Sequence, residues 1–422
     1  MRQLISLDES NTNKQVRHYD KDGYYIRLSV DETIANNLNE WQGWHCSAGI
    51  SGLYIDYDGN VWTCNTAGSK LDRFNSTEWE KTFKPYIDPF GPNIPLEWQG
   101  DGKKWLNLLK KFNARDIAFA KLVPATKENK EKYPGFLGNI KEGFELPTTW
   151  FKCPWQACGC GADVFLAKSK SKPTQDNLPV FFKGDLGQAE TKNKLVKDIP
   201  KEDIIGIEIN FHKPYQILWD LGRRCNYDCS YCWSGVHNRD GAHLTLDEMV
   251  NTADKIIAKW SKGESIRWNF GGGEPTLNPN FLDFLKYLKS KNQWVLVTTN
   301  GSRPNTYWSK AVEYVNSINL SVHFEFADEN KMLLNIKAIC EHFDQHDDDH
   351  WLEIKLMAPP AYVEQAVNFK KTILSKTDIL NTGANGRLKG TVSIVPIRGI
   401  DDSSHIIDYN NTQLELLKSQ DT

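Results

Sequence analysis

The chain has 422 residues, 40% hydrophobic and 25% charged, which is the composition of a globular protein long enough to build two hydrophobic cores. Its formal net charge of -3, with both signs spread along the chain, excludes the large basic face that would dominate binding to nucleic acid or a membrane surface. No apolar run approaches the roughly 18 residues that span a bilayer, and MRQLISLDES lacks the pattern of a signal peptide, so the reading is a cytoplasmic protein.

Residues 1–185 show no regular alternation of strand and helix patterns and are rich in Trp, Gly and turn residues. They predict a smaller, irregular α+β domain stabilised by something other than a large core. Residues 186–213 read as a linker or bridging segment. From 214 to 400 apolar β-type runs alternate with amphipathic helical ones, the pattern of repeated βα units around parallel strands. Six strands are expected, at Gln216 to Asp220, Ser265 to Phe270, Trp294 to Thr298, Ile318 to His323, Trp351 to Met357 and Thr391 to Ile397. Between them, Leu246, Met249, Val250, Ala253, Ile257 and Trp260 recur at helical spacing behind a capping box of Thr245 and Glu248. Phe281, Leu285 and Leu288 form a second helical face, and Met332, Leu333, Ile336, Ile339, Cys340 and Phe343 a third. The fold class is α/β, a partial (β/α)6 barrel with the smaller domain before it. Residues 401–422 read as a polar tail.

Eight of the 9 cysteines fall in tight groups, which in a reducing compartment points to metal or cluster ligands rather than disulfides. Cys225, Cys229 and Cys232 form a C-x3-C-x2-C loop directly after the first predicted strand, at the end where barrel active sites are built. Three thiolates so close can hold three irons of a cubane cluster and leave the fourth iron open. A zinc knuckle is the alternative, but zinc in a closed site takes four protein ligands and this loop offers three. Cys340 lies on the apolar face of a helix and reads as a packed hydrophobe. The run Asp344 to His350 reads as a solvated loop.

The cysteine spacing, the aromatic Tyr231 before the third cysteine and the strand-then-loop context resemble the radical S-adenosylmethionine (SAM) superfamily. The resemblance implies that Cys225, Cys229 and Cys232 bind a 4Fe-4S cluster, that SAM chelates its open iron, and that Tyr231 packs on the adenine. After strand two, Gly272, Gly273, Glu274 and Pro275 resemble the family motif that binds the SAM amino group through backbone carbonyls and a carboxylate. The glycines would let the backbone approach the ligand closely. By the same resemblance Asn300 lies on the SAM face of strand three, Ser321 and His323 contact the ribose and carboxylate from strand four, and Lys355 pairs with the carboxylate. Ile397 at strand six would meet the adenine.

Upstream, Cys46, a turn at Asp58 and Gly59, Cys64 and the segment Leu137 to Ile140 are similar to the opening of a SPASM or twitch auxiliary-cluster domain, here placed before the barrel. Cys153, Cys158 and Cys160 follow, so five cysteines are candidates for an auxiliary 4Fe-4S cluster, with Cys46, Cys64, Cys158 and Cys160 the preferred set and Cys153 the alternate. A structural zinc site could use the same thiolates.

The function implied is reductive cleavage of SAM to a 5'-deoxyadenosyl radical that abstracts a hydrogen atom from a peptide or small-molecule substrate, with oxidation, cross-linking or epimerisation as the outcome. The auxiliary cluster would accept an electron or hold the substrate, and a flavodoxin or ferredoxin would supply the low-potential electron. The residues before Cys46 are too few for a separate leader-binding winged helix, which argues against a leader-guided peptide maturase. An RNA- or nucleotide-modifying enzyme is the alternative within the class, and the lack of a basic domain argues against it. A non-catalytic cluster or zinc protein is the alternative outside it.

Overall fold

A computed structural model of the chain describes residues 15–29, 33, 38, 41–64, 67, 135–153, 166–172, 194–195, 198–209, 215–232, 242–260, 265–345, 350–375, 390–397 and 409–419. These divide into two compact units, the first holding the described residues up to Leu218 except Asp56–Gly59, the second holding Asp56–Gly59 and the residues from Trp219 onward.

Short strands build the first unit: β1 (Gln15–Tyr19), β2 (Tyr24–Ser29), β3 (His45–Cys46), β4 (Gly52–Ile55), β5 (Asn60–Trp62), β6 (Phe136–Asn139), β7 (Gly143–Phe144), β8 (Phe151–Lys152), β9 (Lys168–Ser169), β10 (Lys194–Leu195) and β11 (Gly206–Ile209). Seven of them form a sheet in the order β10-β2-β1-β11-β9-β3-β8, while β4, β5, β6 and β7 pair as an antiparallel meander. Gly59, at φ 79°, closes the expected β4–β5 turn. Gly138 lies at φ 131°, and a Cβ there would stand 2.3 Å from the Gly143 carbonyl, so β6 and β7 can close only on glycine. Trp41, Tyr54, Trp62 and Phe136 dominate the core, together with Cys46, Cys64 and Cys153.

The stretch expected to be a linker is partly sheet. Within it β11 pairs antiparallel with both β1 and β9, and Ile207 is wholly buried. Ile205, Ile207 and Ile209 recur there at strand spacing, the signal that could have found this strand.

In the second unit, β12 (Gln216–Asp220) carries the chain across the unit boundary. Then come β13 (Arg267–Gly271), β14 (Trp294–Thr299), β15 (Ser317–His323), β16 (Trp351–Ala358) and β17 (Gly390–Pro396). They neighbour one another in sequence order, and every pair from β13 to β17 is parallel. The helices are α1 (Leu246–Trp260), α2 (Phe281–Ser290), α3 (Asn305–Ala311), α4 (Glu329–Gln345), α5 (Val363–Ser375) and α6 (Asn411–Lys418). β14 buries Val295, Leu296 and Val297 as a run, whereas β16 buries alternate residues: Leu352, Ile354, Leu356 and Ala358 are buried, while Glu353, Lys355 and Met357 are half-buried. One face is therefore packed and the other carries polar groups.

The capping box starts α1 as expected, with Thr245 N–H donating to Glu248 (2.8 Å) and Glu248 N–H to Thr245 Oγ1 (3.2 Å). Its buried face is Met249, Thr252, Ala253, Ile256 and Trp260, slightly rotated from the apolar reading. Thr252 tolerates burial because its hydroxyl donates to the Glu248 carbonyl at 2.7 Å. Residues 401–422 are not simply a tail. Asn410 and Gln413 form a capping box for α6, Gln413 Nε2 donates to the Pro360 carbonyl at 2.8 Å, and Leu417 is buried. Among the described residues no helix is long and apolar enough to cross a membrane.

Candidate active site

Beyond Asp220 the chain turns into the loop Leu221–Cys232, held by a backbone ladder to the glycine segment after β13. Leu221 N–H donates to the Gly271 carbonyl (3.0 Å), Gly273 N–H to Gly222 (2.8 Å) and Glu274 N–H to Arg224 (2.8 Å). A Cβ on Gly273 would stand 2.4 Å from the Arg224 carbonyl, and Gly272 has φ 112° with its Cβ position 2.6 Å from the Gly222 carbonyl. The expectation was that these glycines admit a ligand. The contacts that demand glycine here are with the cysteine loop itself.

Glu274 is held from within the protein. Its side chain is 2% exposed. One carboxylate oxygen accepts from Thr276 N–H (3.1 Å), Thr276 Oγ1 (2.6 Å) and Thr299 Oγ1 (2.8 Å), and the other accepts from Asn300 N–H (2.6 Å). Burial pushes the carboxyl above its usual range despite these donors. The carboxylate ties the glycine segment to the end of β14 and to Asn300 just beyond it. Pro275 opens a short 3-10 turn for which Glu274 is the cap.

Asn300 reaches back to the cysteine loop. Its Nδ2 donates to Asn226 Oδ1 at 3.0 Å and points at the Cys225 sulfur at 3.8 Å, and its Oδ1 accepts from Ser302 N–H at 2.9 Å. Helix α4 fixes this turn from below, where Asn335 Nδ2 donates to the Gly301 and Arg303 carbonyls, both at 2.8 Å.

Cys229 is buried, and Cys225 and Cys232 are partly so. Burial, and after it the neighbouring cysteines, push the Cys229 thiol up to about 12 and that of Cys232 up to about 11. Burial also raises Cys225, although Tyr227 N–H points at its sulfur at 3.4 Å. Thiols bind iron as thiolates, the metal taking the place of the proton. Among the described residues no three His, Cys, Asp or Glu side chains are arranged to hold a single ion. A cubane cluster makes a different demand, since its three thiolates bind three separate irons. The donor set and the N–H groups aimed at sulfur fit that group.

The end of β15 and the turn after it supply the other wall. Ser230 donates through N–H (2.7 Å) and Oγ (2.5 Å) to the two carboxylate oxygens of Glu325. Tyr227 stacks on Phe326 with centroids 5.4 Å apart, and Tyr231 stacks on His323 at 5.8 Å. Sequence reasoning missed Glu325, Asn226 and Tyr227. Glu325 was readable as the next residue, at spacing two, after Ser321 and His323, and the other two lie between cysteines already singled out. Ser321 and Lys355 are cross-strand partners on the half-buried face, with Lys355 Nζ paired to Glu353 at 3.2 Å. Ile397 is buried, its N–H donating to Tyr409 Oη at 2.8 Å, so it packs toward the C-terminal segment.

Residues 219–354 match the sequence profile of the Radical SAM superfamily. This part of the chain is a radical SAM domain. The matched span includes Cys225, Tyr231, Glu274, Asn300 and His323 and stops one residue short of Lys355. The mycofactocin maturase MftC of Mycobacterium ulcerans is 30% identical over 92 residues, 22% of this chain and 24% of that protein. An S-adenosylmethionine-dependent nucleotide dehydratase of Pseudoalteromonas ulvae is 27% identical over 144 residues, 31% of this chain and 44% of that protein. The match thus spans about a quarter of the maturase and under half of the dehydratase. Streptococcus suis SuiB, solved bound to precursor peptide SuiA, gives a TM-score of 0.34 at 15% identity over 49% of this chain and 44% of SuiB, too low to support any argument.

Outside the radical SAM domain, Cys46, Cys64 and Cys153 share one buried core of the first unit. Cys153 is strapped beside β3, its N–H donating to the Trp44 carbonyl and its carbonyl accepting from Gly43 N–H, both at 2.8 Å. Ala67 N–H points at the Cys64 sulfur at 3.4 Å. Cys158 and Cys160 lie outside the described residues.

Proposed function

We propose that the chain is a radical SAM enzyme in which Cys225, Cys229 and Cys232 hold a 4Fe-4S cluster and SAM binds above the half-buried face of β13 to β16. The observation that carries this reading is the loop bearing the three cysteines, laddered by backbone hydrogen bonds onto the Gly-Gly-Glu segment. When bound, the cluster supplies the electron that cleaves SAM, and the 5'-deoxyadenosyl radical takes a hydrogen atom from substrate. The protein's part is positional. Glu274 and Asn300 fix the loop, Ser230 and Glu325 anchor its far side, and Tyr227, Tyr231 and His323 form an aromatic wall beside it. Six strands in sequential order support a partial (β/α)6 barrel.

In the first unit the proposal is an auxiliary 4Fe-4S cluster that accepts an electron or holds substrate. Its support is the gathering of Cys46, Cys64 and Cys153 in one core, which favours Cys153 as a ligand over the set that omits it. The substrate class proposed is a peptide or small molecule, oxidised, cross-linked or epimerised, with a flavodoxin or ferredoxin as electron donor. Relatives named as nucleotide dehydratases favour a nucleotide as the second reading. Anaerobic reconstitution followed by mass spectrometry of peptide and nucleotide pools separates them. A SAM-dependent mass change in peptides supports the first, and one confined to nucleotides supports the second.

A further inference from the structure

Asn300 is buried just beyond the end of β14. Its side-chain oxygen accepts from Ser302 N–H at 2.9 Å, and this bond decides which way round the amide lies. Reversing it would set NH2 against the Ser302 N–H, donor against donor. The NH2 group therefore faces the cysteine loop, where Nδ2 lies 3.0 Å from Asn226 Oδ1 and 3.8 Å from the Cys225 sulfur.

The count of hydrogens matches the count of acceptors. One amide hydrogen goes to the Asn226 oxygen, which also accepts from Ser302 Oγ at 3.2 Å, and the other is left for the sulfur. Sulfur is larger than oxygen, so 3.8 Å is a long but bonded distance, and Tyr227 N–H approaches the same sulfur at 3.4 Å. The turn that carries the amide is tied down. Asn300 N–H donates to Glu274 at 2.6 Å, and Asn335 Nδ2 holds the Gly301 carbonyl at 2.8 Å.

We propose that Asn300 donates a hydrogen bond from Nδ2 to the Cys225 sulfur and thereby raises the reduction potential of the cluster held there. The inference rests on the reading that Cys225, Cys229 and Cys232 hold a cluster. An iron-bound thiolate carries no proton, so its sulfur can only accept. Reduction adds negative charge, part of which resides on sulfur, so a donor aimed at that sulfur binds the reduced state more strongly and stabilises it. Asn300 acts through Cys225 and is a positioning residue, a role separate from the SAM contact expected of it.

Redox titration of the full chain, reconstituted anaerobically without SAM and followed by the electron paramagnetic resonance signal of the reduced cluster, reads the effect. The signal of a variant with Cys225, Cys229 and Cys232 all replaced by Ala is subtracted to remove any other cluster. Asn300→Asp keeps an oxygen for Ser302 N–H but loses both amide hydrogens, and Asn300→Leu loses them without adding charge. Both shift the midpoint to more negative potential. Asn226→Ala removes the neighbouring acceptor and leaves the N–H aimed at sulfur, so its midpoint moves less than that of Asn300→Leu. Pulsed electron paramagnetic resonance on wild-type chain labelled isotopically at the asparagine side-chain nitrogen needs no Asn300 variant to fold. It should detect a weak coupling of that nitrogen to the reduced cluster, absent from labelled Asn300→Leu. A midpoint unmoved in Asn300→Leu, an equal shift in Asn226→Ala, or no nitrogen coupling in the wild type overturns the hydrogen bond while the cluster assignment stands. Wild-type protein with no cluster on these cysteines overturns the assignment itself, and the inference with it.

Discussion

Replacing Glu274 by Ala removes the acceptor for two backbone N–H groups, those of Thr276 and Asn300, and for the hydroxyls of Thr276 and Thr299. The hydroxyls can rotate toward other acceptors, but the N–H groups cannot. Each buried donor left unmade costs about 1–3 kcal/mol, so the pair costs about 2–6 kcal/mol, before any cavity is counted. Against a total stability of about 5–15 kcal/mol this is a large fraction. Glu274→Gln is milder. Its amide oxygen can keep the Thr276 N–H while its NH2 group faces Asn300 N–H, donor against donor, at about 1–3 kcal/mol. Urea unfolding of the cluster-free chain without SAM reads both variants, and the midpoints should fall in the order wild type, Gln, Ala. An Ala variant that unfolds at the wild-type midpoint yet no longer binds SAM would show that the carboxylate serves the ligand and not the fold.

Cys229→Ala should remove one cluster, seen as a loss of about four irons per chain, because one iron loses its fixed ligand; full iron content in the variant contradicts the ligand set. Gly273→Ala places a Cβ 2.4 Å from the Arg224 carbonyl, so the ladder must part and the reconstituted chain should hold less iron on the cysteine loop. Wild-type iron content in that variant refutes the steric argument. His18, wholly buried with Nε2 3.0 Å from Thr33 Oγ1, is held by burial at about 4, below the 6.5 of a free imidazole. The unfolded chain therefore takes up the proton first on acidification, and stability that is full above pH 6.5 is lost as pH falls toward 4. Between pH 7 and 5 the loss is about 2 kcal/mol by linkage. Urea unfolding at the two pH values measures it, and His18→Gln should flatten the slope; an equal slope in both proteins refutes the assignment to His18.

The second unit was legible because its elements repeat. The β-type runs beginning at Gln216, Trp294 and Trp351 became strands, and the box at Thr245 and Glu248 became a helix start, since both signals are local. The three-cysteine loop was legible for the same reason. What the sequence did not reveal was long-range. That Gly273 packs against Arg224, that Glu274 accepts from Thr299 and Asn300, and that Ser230 is anchored on Glu325 all depend on contacts between segments tens of residues apart. The strand at Gly206–Ile209 was readable from the alternation of Ile205, Ile207 and Ile209 but spans only 4 residues, and the helix at Asn411–Lys418 spans only 8, so each is a short pattern beside the repeats of the second unit. In the helix, the Asn410 and Gln413 box was the available signal.

The central claim is that this radical SAM domain cleaves SAM through a cluster on Cys225, Cys229 and Cys232. The direct measurement is 5'-deoxyadenosine formed by the full chain, reconstituted anaerobically and supplied with SAM and dithionite, beside the variant in which those three cysteines are Ala. The wild type should form it and the variant should form none. Equal formation by both, or none by a wild type that carries a reducible cluster on those cysteines, would contradict the account.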